Sequence, residues 1–390
     1  MGKLQLKDLS LKGKRVLMRV DFNVPIDHGV LGDDTRIRAA LPSIEFVLHQ
    51  GASLILMSHL GRPEGKPDPR FSLAPCAKKL SEMLHKEVIM APGWDWNWIE
   101  KKAFSLKEGQ VLFLENLRFE PGEEKPALFP DFTQKLAKLG EIYVNDAFGT
   151  AHRAHASTVA IAKFFPNAAA MGFLMQKEIE ELSSLLTNPK RPFDAIIGGA
   201  KISSKIKMIQ KLLSRIDLLF IGGAMAFTFF KAEGIPIGNS LCEDPSLVGD
   251  LPKASLRLPK DIVIAQSLSR DAPHQTILAQ EGIPASWQGV DIGPQTVAQW
   301  SLELKKAKTI FWNGPVGVFE TPPFDWGTQK IAECLSQTDA KTIVGGGDSV
   351  AAIEKMGLQE KFSHLSTGGG ASLEFLESGH LPGIDALSNR

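Results

Sequence analysis

Four arginines in the first half of the chain, Arg36, Arg62, Arg118 and Arg153, each follow an apolar run or open a helix-period segment. A guanidinium is a planar fork that matches carboxylate and phosphate oxygens. One such arginine is ordinarily half of a surface ion pair. Four at equivalent places point instead to convergence on a small molecule with several negative charges. Beside them, Asp21 and Asn23 leave a strand end at i and i+2, on one face, where they can grip a hydroxylated ligand. His59 ends another apolar run and can donate to an anion. His152 and His155 have a spacing able to seat a metal, but no carboxylate or cysteine set accompanies them, so hydrogen-bonding roles are favoured.

The second half carries a different chemistry. Neither G-x-x-x-x-G-K-[ST] nor G-x-G-x-x-G occurs, which removes the usual P-loop and dinucleotide readings. Five glycine-rich segments take their place: 198–205 (GGAKISSK), 222–225 (GGAM), 313–320 (NGPVGVFE), 345–349 (GGGDS) and 367–372 (TGGGAS). Glycines between a strand and a helix let a phosphate approach backbone N–H groups and the positive end of a helix. Any one loop alone reads better as a tight turn, but five in one half, two carrying lysine or aspartate, favour a nucleotide. Lys201 is placed to neutralise a moving phosphoryl group. Asp348, at a helix start, suits an anion only through an intervening Mg²⁺. Glu320 is placed to take ribose hydroxyls.

These loops need scaffolds, and the chain supplies them. Its 390 residues exceed one hydrophobic core and predict two domains. Apolar runs at 16–20, 54–57, 111–114 and 142–144, then 195–197, 218–221, 262–265, 310–312 and 343–344, alternate with helix-period segments. That alternation predicts an α/β fold of parallel sheets. Segment 172–187 has apolar residues at Ile179, Leu182, Leu185 and Leu186, which fits one amphipathic helix. Asn188-Pro189 ends it, and it is the expected connector between domains.

Composition narrows the partners. The 44 Lys and Arg balance 44 Asp and Glu, which gives no general reason to expect nucleic acid or an anionic membrane. No stretch approaches the ~20 apolar residues of a spanning helix, and the opening lacks a signal-peptide core, so a cytoplasmic location is expected. Cys76, Cys242 and Cys334 have no ligand spacing and read as buried or incidental thiols. The run Trp94-Asp95-Trp96-Asn97-Trp98 reads as local packing.

At 15–25 (RVLMRVDFNVP), 59–63 (HLGRP), 148–155 (FGTAHRAH), 311–320 (FWNGPVGVFE) and 366–374 (STGGGASLE) the chain resembles the phosphoglycerate kinase family, in the same order and over essentially its whole length. The resemblance implies two Rossmann-like domains joined by a helical hinge, with a cleft between them. The expected divisions are 1–171 for 3-phosphoglycerate, completed by the tail 373–390; 172–187 for the hinge; and 188–372 for the nucleotide. It implies reversible transfer of the acyl phosphate of 1,3-bisphosphoglycerate to Mg-ADP, giving 3-phosphoglycerate and ATP in glycolysis, by a monomer.

The resemblance also assigns residues. Asp21, Asn23, Arg36, His59, Arg62, Arg118 and Arg153 match the substrate site. Lys201, Lys205, Gly222, Gly223, Asn313, Glu320, Gly346, Gly347, Asp348 and Ser349 match the nucleotide site. Arg36, Lys201, Gly347 and Gly370 are expected at the reacting phosphoryl group, with Mg²⁺ held by Asp348 through the phosphates. Ser203-Ser204-Lys205 departs from the pattern, since relatives often carry Asp directly before the second lysine.

A carboxylate acceptor is already ionised at neutral pH, so no general base is needed. Alignment and charge screening remain, and hinge closure, with 172–187 and 367–372 absorbing the motion, is expected to supply contact between the reactants. The rival reading is a non-catalytic two-lobed protein that closes on an anion, which would have no use for Lys201 together with Asp348.

Overall fold

Every residue of Ser53–Met57 is buried, as a strand covered by helices on both faces must be, because no side of it meets water. In this computed structural model, which describes residues 2–390, such runs build two separate parallel sheets. The chain divides into two compact units, Met1–Glu180 with His380–Arg390, and Glu181–Gly379.

The strands of the first unit are β1 (Arg15–Arg19), β2 (Ile26–Asp27), β3 (Val30–Leu31), β4 (Ser53–Met57), β5 (Val88–Met90), β6 (Val111–Phe113), β7 (Ile142–Asn145) and β8 (Ala169–Met171). Strands β2 and β3 form a small antiparallel hairpin. The other six form one parallel sheet in the order β5-β6-β4-β1-β7-β8. Val16, Met18, Leu54 and Leu56 face the buried side of helix Thr35–His49, including Ile37, Ile44 and Val47. From β1 the chain moves to β4 on one side and later to β7 on the other, so a topological switch lies beside β1.

The second unit holds β9 (Phe193–Ile197), β10 (Leu218–Ile221), β11 (Leu256–Arg257), β12 (Asp261–Ala265), β13 (His274–Leu278), β14 (Gln288–Ile292), β15 (Thr309–Asn313), β16 (Lys341–Gly345) and β17 (His364–Leu365). Six of these form a parallel sheet in the order β11-β10-β9-β15-β16-β17. That is the doubly wound order 3-2-1-4-5-6, with its switch between β9 and β15. Ile196, Ile310, Trp312 and Val344 pack with Trp300, Leu304, Ile331 and Leu335 from the flanking helices.

One expected parallel strand belongs elsewhere. The run 262–265 lies in β12, the centre of a separate antiparallel sheet ordered β13-β12-β14. Residues 266–273 are too few for a parallel crossover, which takes a dozen or more, so the chain turns back as a hairpin. Strands β5, β8, β11 and β17 have only two or three residues each, too short to stand out as apolar runs.

Helix Phe173–Thr187 carries the chain from the first unit into the second. Met175, Leu182 and Leu185 on its apolar stripe are fully buried. The Met175 N–H donates to Asp146 Oδ1 at 3.1 Å, fixing its first turn to the end of β7. The tail rejoins the first unit at His380 and not at 373, because helix Gly370–Ser378 packs on helix Ile206–Leu213 of the second. The returning tail covers the β8 edge: Ser388 N donates to Ala169 O at 2.9 Å, and Leu4 N donates to Ser388 O at 2.8 Å.

Candidate functional site

In the first unit the expected substrate residues all follow the carboxyl ends of four adjacent strands, β6, β4, β1 and β7. Beyond β1, Phe22 N donates to Ser58 Oγ at 2.9 Å, and Gly61 N donates to Asn23 Oδ1 at 2.9 Å. These bonds tie the exits of β1 and β4 together. Arg118 joins them from the β6 exit by donating to Gly61 O at 2.7 Å. Arg118 also pairs with Glu124 at 3.1 Å.

Asp21 is the hub, 7% exposed. Arg36 Nη1 donates to its Oδ2 at 2.7 Å, and Asn23 N donates to its Oδ1 at 3.2 Å. Burial alone would raise this carboxyl, but Arg36 foremost, with Arg19 and the Asn23 N–H, outweighs it and holds Asp21 below the usual carboxylate range. His59 is buried, and burial pushes its imidazole well below the ordinary histidine range against the pull of Asp21. It is therefore neutral at pH 7.

Arg19 Nη2 lies 3.2 Å from His59 Nδ1. A guanidinium only donates, so Nδ1 accepts and the ring proton sits on Nε2. His59 thus offers an N–H without carrying charge. Arg62 and Arg153 are exposed, and Arg153 adds to the positive field that lowers His152 and His155.

Sequence reasoning missed the layer beneath. Arg19, 1% exposed, donates from Nε to Ser157 Oγ at 2.8 Å and from Nη1 to Val20 O. Ser157 donates to Glu123 Oε1 at 2.7 Å, and Glu123 is fully buried. A charge inside the apolar run 16–20 was the available signal for Arg19; nothing in the polar stretch around Glu123 marks it. His155 Nδ1 is 3.8 Å from Glu123 Oε1, and burial pushes that histidine down to about 3. Among the described residues no group of three or more His, Cys, Asp or Glu is placed to hold a metal.

The Trp94 and Trp96 rings meet Phe132 edge-to-face at 5.4 and 6.0 Å between centroids, so that run is packing. Cys76 and Cys334 are buried, and burial pushes the Cys76 thiol up to about 12.

In the second unit the five glycine-rich loops follow β10, β9, β15, β16 and β17, neighbouring strands astride the switch. Gly198 N donates to Asn313 O at 2.9 Å, and Gly199 N donates to Pro315 O at 2.8 Å. A Cβ at Gly198 would collide with Pro315 O, and Gly314 has φ +96, so these two glycines are required by the close loop crossing. Gly222 N and Gly223 N are likewise taken by Ile197 O and Val316 O, both at 2.9 Å. These loops therefore shape the site, and their N–H groups are already spent. The N–H groups that head helix Gly347–Lys355, starting from Gly346 at φ +90, lie in a first turn without intrahelical acceptors.

Lys205 reaches inward. Its Nζ donates to Gly198 O at 2.7 Å and Asn313 O at 3.2 Å, and burial pushes it down to about 8 against the opposing Asp348 charge. Lys201 is exposed and stands in the long loop between β9 and helix Ile206–Leu213. Ser349 Oγ accepts from Gly314 N at 2.6 Å, and Asn313 Nδ2 is buried with no partner. That unspent donor, beside the Gly345-Gly346 backbone, is chemistry suited to an anion.

A cleft of about 200 Å³ opens here. Phe227, Gly289, Val290 and Val316 give it an apolar wall suited to a flat base, and Glu320 and Asp348 line it too. Gly223 also lines it, whereas Lys201, Lys205, Gly347 and Gly370 stand outside its lining. Gly289 and Val290 come from the antiparallel sheet, which sequence reasoning had not separated from the main one.

Comparison with known proteins places this geometry. A sequence family described as phosphoglycerate kinase matches residues 6–379. The chain is 52% identical over 398 residues to a protein named phosphoglycerate kinase from Moorella thermoacetica, covering 100% of each. It is 50% identical over 403 residues to one so named from Fervidobacterium nodosum, covering 100% of this chain and 99% of the relative. Among solved structures it is similar to phosphoglycerate kinase from Coxiella burnetii, with a TM-score of 0.87, 40% identity and 98% of both chains covered. It is also similar to that of Pyrococcus horikoshii OT3, with a TM-score of 0.85, 32% identity and the same coverage.

Proposed function

The chain belongs to the phosphoglycerate kinase family and has its activity, and on that premise we propose which of its residues carry out the transfer between 1,3-bisphosphoglycerate and ADP. The observation that supports the reading best is the placement of the two residue sets. Each follows the carboxyl ends of adjacent parallel strands at a topological switch, one set in each unit.

In this reading Arg62, Arg118, Arg153 and the neutral His59 hold the phosphate and carboxylate of 3-phosphoglycerate. Asp21 and Asn23 take its hydroxyl, and Asp21 also fixes Arg36 at 2.7 Å. The acceptor carboxylate is already ionised, so no side chain need remove a proton. That agrees with a first unit whose two most buried site groups, Asp21 and His59, are committed to a network of hydrogen bonds and charge.

In the second unit the apolar wall takes the base, Glu320 the ribose, and Asn313, Lys205 and the first turn of Gly347–Lys355 the phosphates. Asp348 is a lone carboxylate at that turn, which fits Mg²⁺ held mainly by nucleotide phosphates and water. The ion would supply charge neutralisation at the phosphates. Lys201, Arg36 and the N–H groups near Gly347 and Gly370 screen the transferring group. In-line transfer needs reacting atoms within roughly 3–3.5 Å. The two sets lie in different units, so closure over both ligands belongs to the reading. The cytoplasm and a monomeric state complete it.

A coupled assay with purified protein, ATP, Mg²⁺ and 3-phosphoglycerate tests the reading. Formation of an acyl phosphate, trapped by a dehydrogenase, supports it; none formed would sink it.

A further inference from the structure

Residues Ser203 and Ser204 lie between the two lysines of the 198–205 loop, and the structure shows what holds them. Ser203 N donates to Glu243 Oε2 at 2.8 Å, and Ser203 Oγ donates to Glu243 Oε1 at 2.6 Å. One side chain thus captures both hydrogen-bond donors of a residue two positions beyond Lys201. Glu243 is itself fastened to the fold, since its N–H donates at 3.1 Å to Oγ1 of Thr228, which is 1% exposed in helix Met225–Ala232.

The same helix secures the other end of the loop, where Met225 N donates to Gly199 O at 3.1 Å. Inside the loop Ser204 Oγ donates to Lys201 O at 2.8 Å. Lys201 is therefore suspended between two anchors on one buried helix, while its own side chain is exposed.

We propose that Glu243, through its two-point clamp on Ser203, is a positioning residue for phosphoryl transfer, presetting the loop that presents Lys201 to the transferring group. The inference rests on the reading of Lys201 given above. Glu243 does not line the nucleotide cleft, so its effect passes through the loop and not through contact with ligand. Two hydrogen bonds from one residue to one carboxylate fix direction as well as distance. The carboxylate is held below its usual range chiefly by the Ser203 side-chain and backbone bonds, so the clamp is charged throughout the neutral range. Preorganisation matters here because a displacement of about 1 Å in a charge-screening group can cost on the order of 10²-fold in rate.

The test compares Ser203→Ala, Glu243→Ala, the double variant and each of these combined with Lys201→Ala, by steady-state kinetics on the full chain, with thermal melts as a check of folding. The clamp predicts that Glu243→Ala, which removes both bonds, lowers kcat by about tenfold, the scale of a partial misplacement, and that Ser203→Ala, which keeps the backbone bond, lowers it by less. KM for 3-phosphoglycerate stays unchanged. The double variant is no slower than Glu243→Ala, and neither substitution slows Lys201→Ala further.

Losses that multiply in the double variant, or that persist in full on the Lys201→Ala background, would overturn the proposal. So would a faster Glu243→Ala enzyme, which would mean that the carboxylate only dampens the lysine charge. A slowed Lys201→Ala enzyme beside unchanged clamp variants would overturn the clamp alone. An unchanged Lys201→Ala enzyme would remove the reading of Lys201 and the clamp with it.

Discussion

Arg36 Nη1 lies 2.7 Å from Asp21 Oδ2, with the carboxylate 7% exposed and the arginine half-buried. The pair is held at the mouth of β1, with Asn23 N on the second oxygen. Its geometry leaves part of the guanidinium fork available to a ligand while fixing the direction in which it points. Asp21→Asn removes the charge that holds Arg36, and should weaken 3-phosphoglycerate binding by about 1.5–3 kcal/mol, the range for a charge-assisted hydrogen bond. Calorimetric titration should show this loss with ADP affinity unchanged; a loss shared by both ligands would assign Asp21 to folding.

Arg62 and Arg118 should separate binding from structure. Arg62 is exposed, whereas Arg118 is buried and braces the loop through Gly61 O at 2.7 Å. Both alanine variants should lose roughly 1.5–3 kcal/mol of 3-phosphoglycerate affinity, but only Arg118→Ala should also lower the melting temperature. Unchanged affinity in Arg62→Ala would make that arginine an ordinary surface cation.

Lys205, pushed down to about 8, is partly neutral in mildly alkaline solution. Arriving phosphates favour its ammonium form, so ADP binding near pH 8.5 should take up protons. Titrations in buffers of different ionisation enthalpy measure that uptake, and Lys205→Met should abolish it. If wild type and variant exchange the same number of protons, the phosphates do not contact Lys205.

How much of this was legible in the sequence depends on how far each feature extends along the chain. Runs such as 54–57 and 310–312 announce central strands because both faces are buried, so every position is apolar. The split of β12 from the main sheet was hidden, since β13 is largely exposed and carries His274, Gln275 and Thr276 in place of an apolar run. The arginines that meet solvent at strand ends were readable from type and place. Glu123 and Ser157 were not, because their roles come from burial under residues distant in sequence. The two lysines of the 198–205 loop looked alike in sequence. Only the fold shows that Lys205 turns inward to Gly198 O while Lys201 stays exposed.

Asp194 gives a stability prediction of definite sign. It is 1% exposed, and burial, with Asp217 adding, pushes its carboxyl up to about 7. The folded state thus retains a proton that the unfolded chain releases near 3.8, so this group favours folding below that value and its contribution is lost as pH rises toward 7. Asp194→Asn should melt higher relative to wild type at pH 8 than at pH 4. A difference in melting temperature that does not change with pH would contradict the shift.

The most direct test of the account is kcat for Lys201→Ala, measured with saturating 3-phosphoglycerate and Mg-ATP beside KM for the nucleotide. Charge screening in the transition state predicts a fall in kcat on the order of 10²–10³ with KM changed far less. A Lys201→Ala enzyme with wild-type kcat, or one that loses only nucleotide affinity, would contradict it.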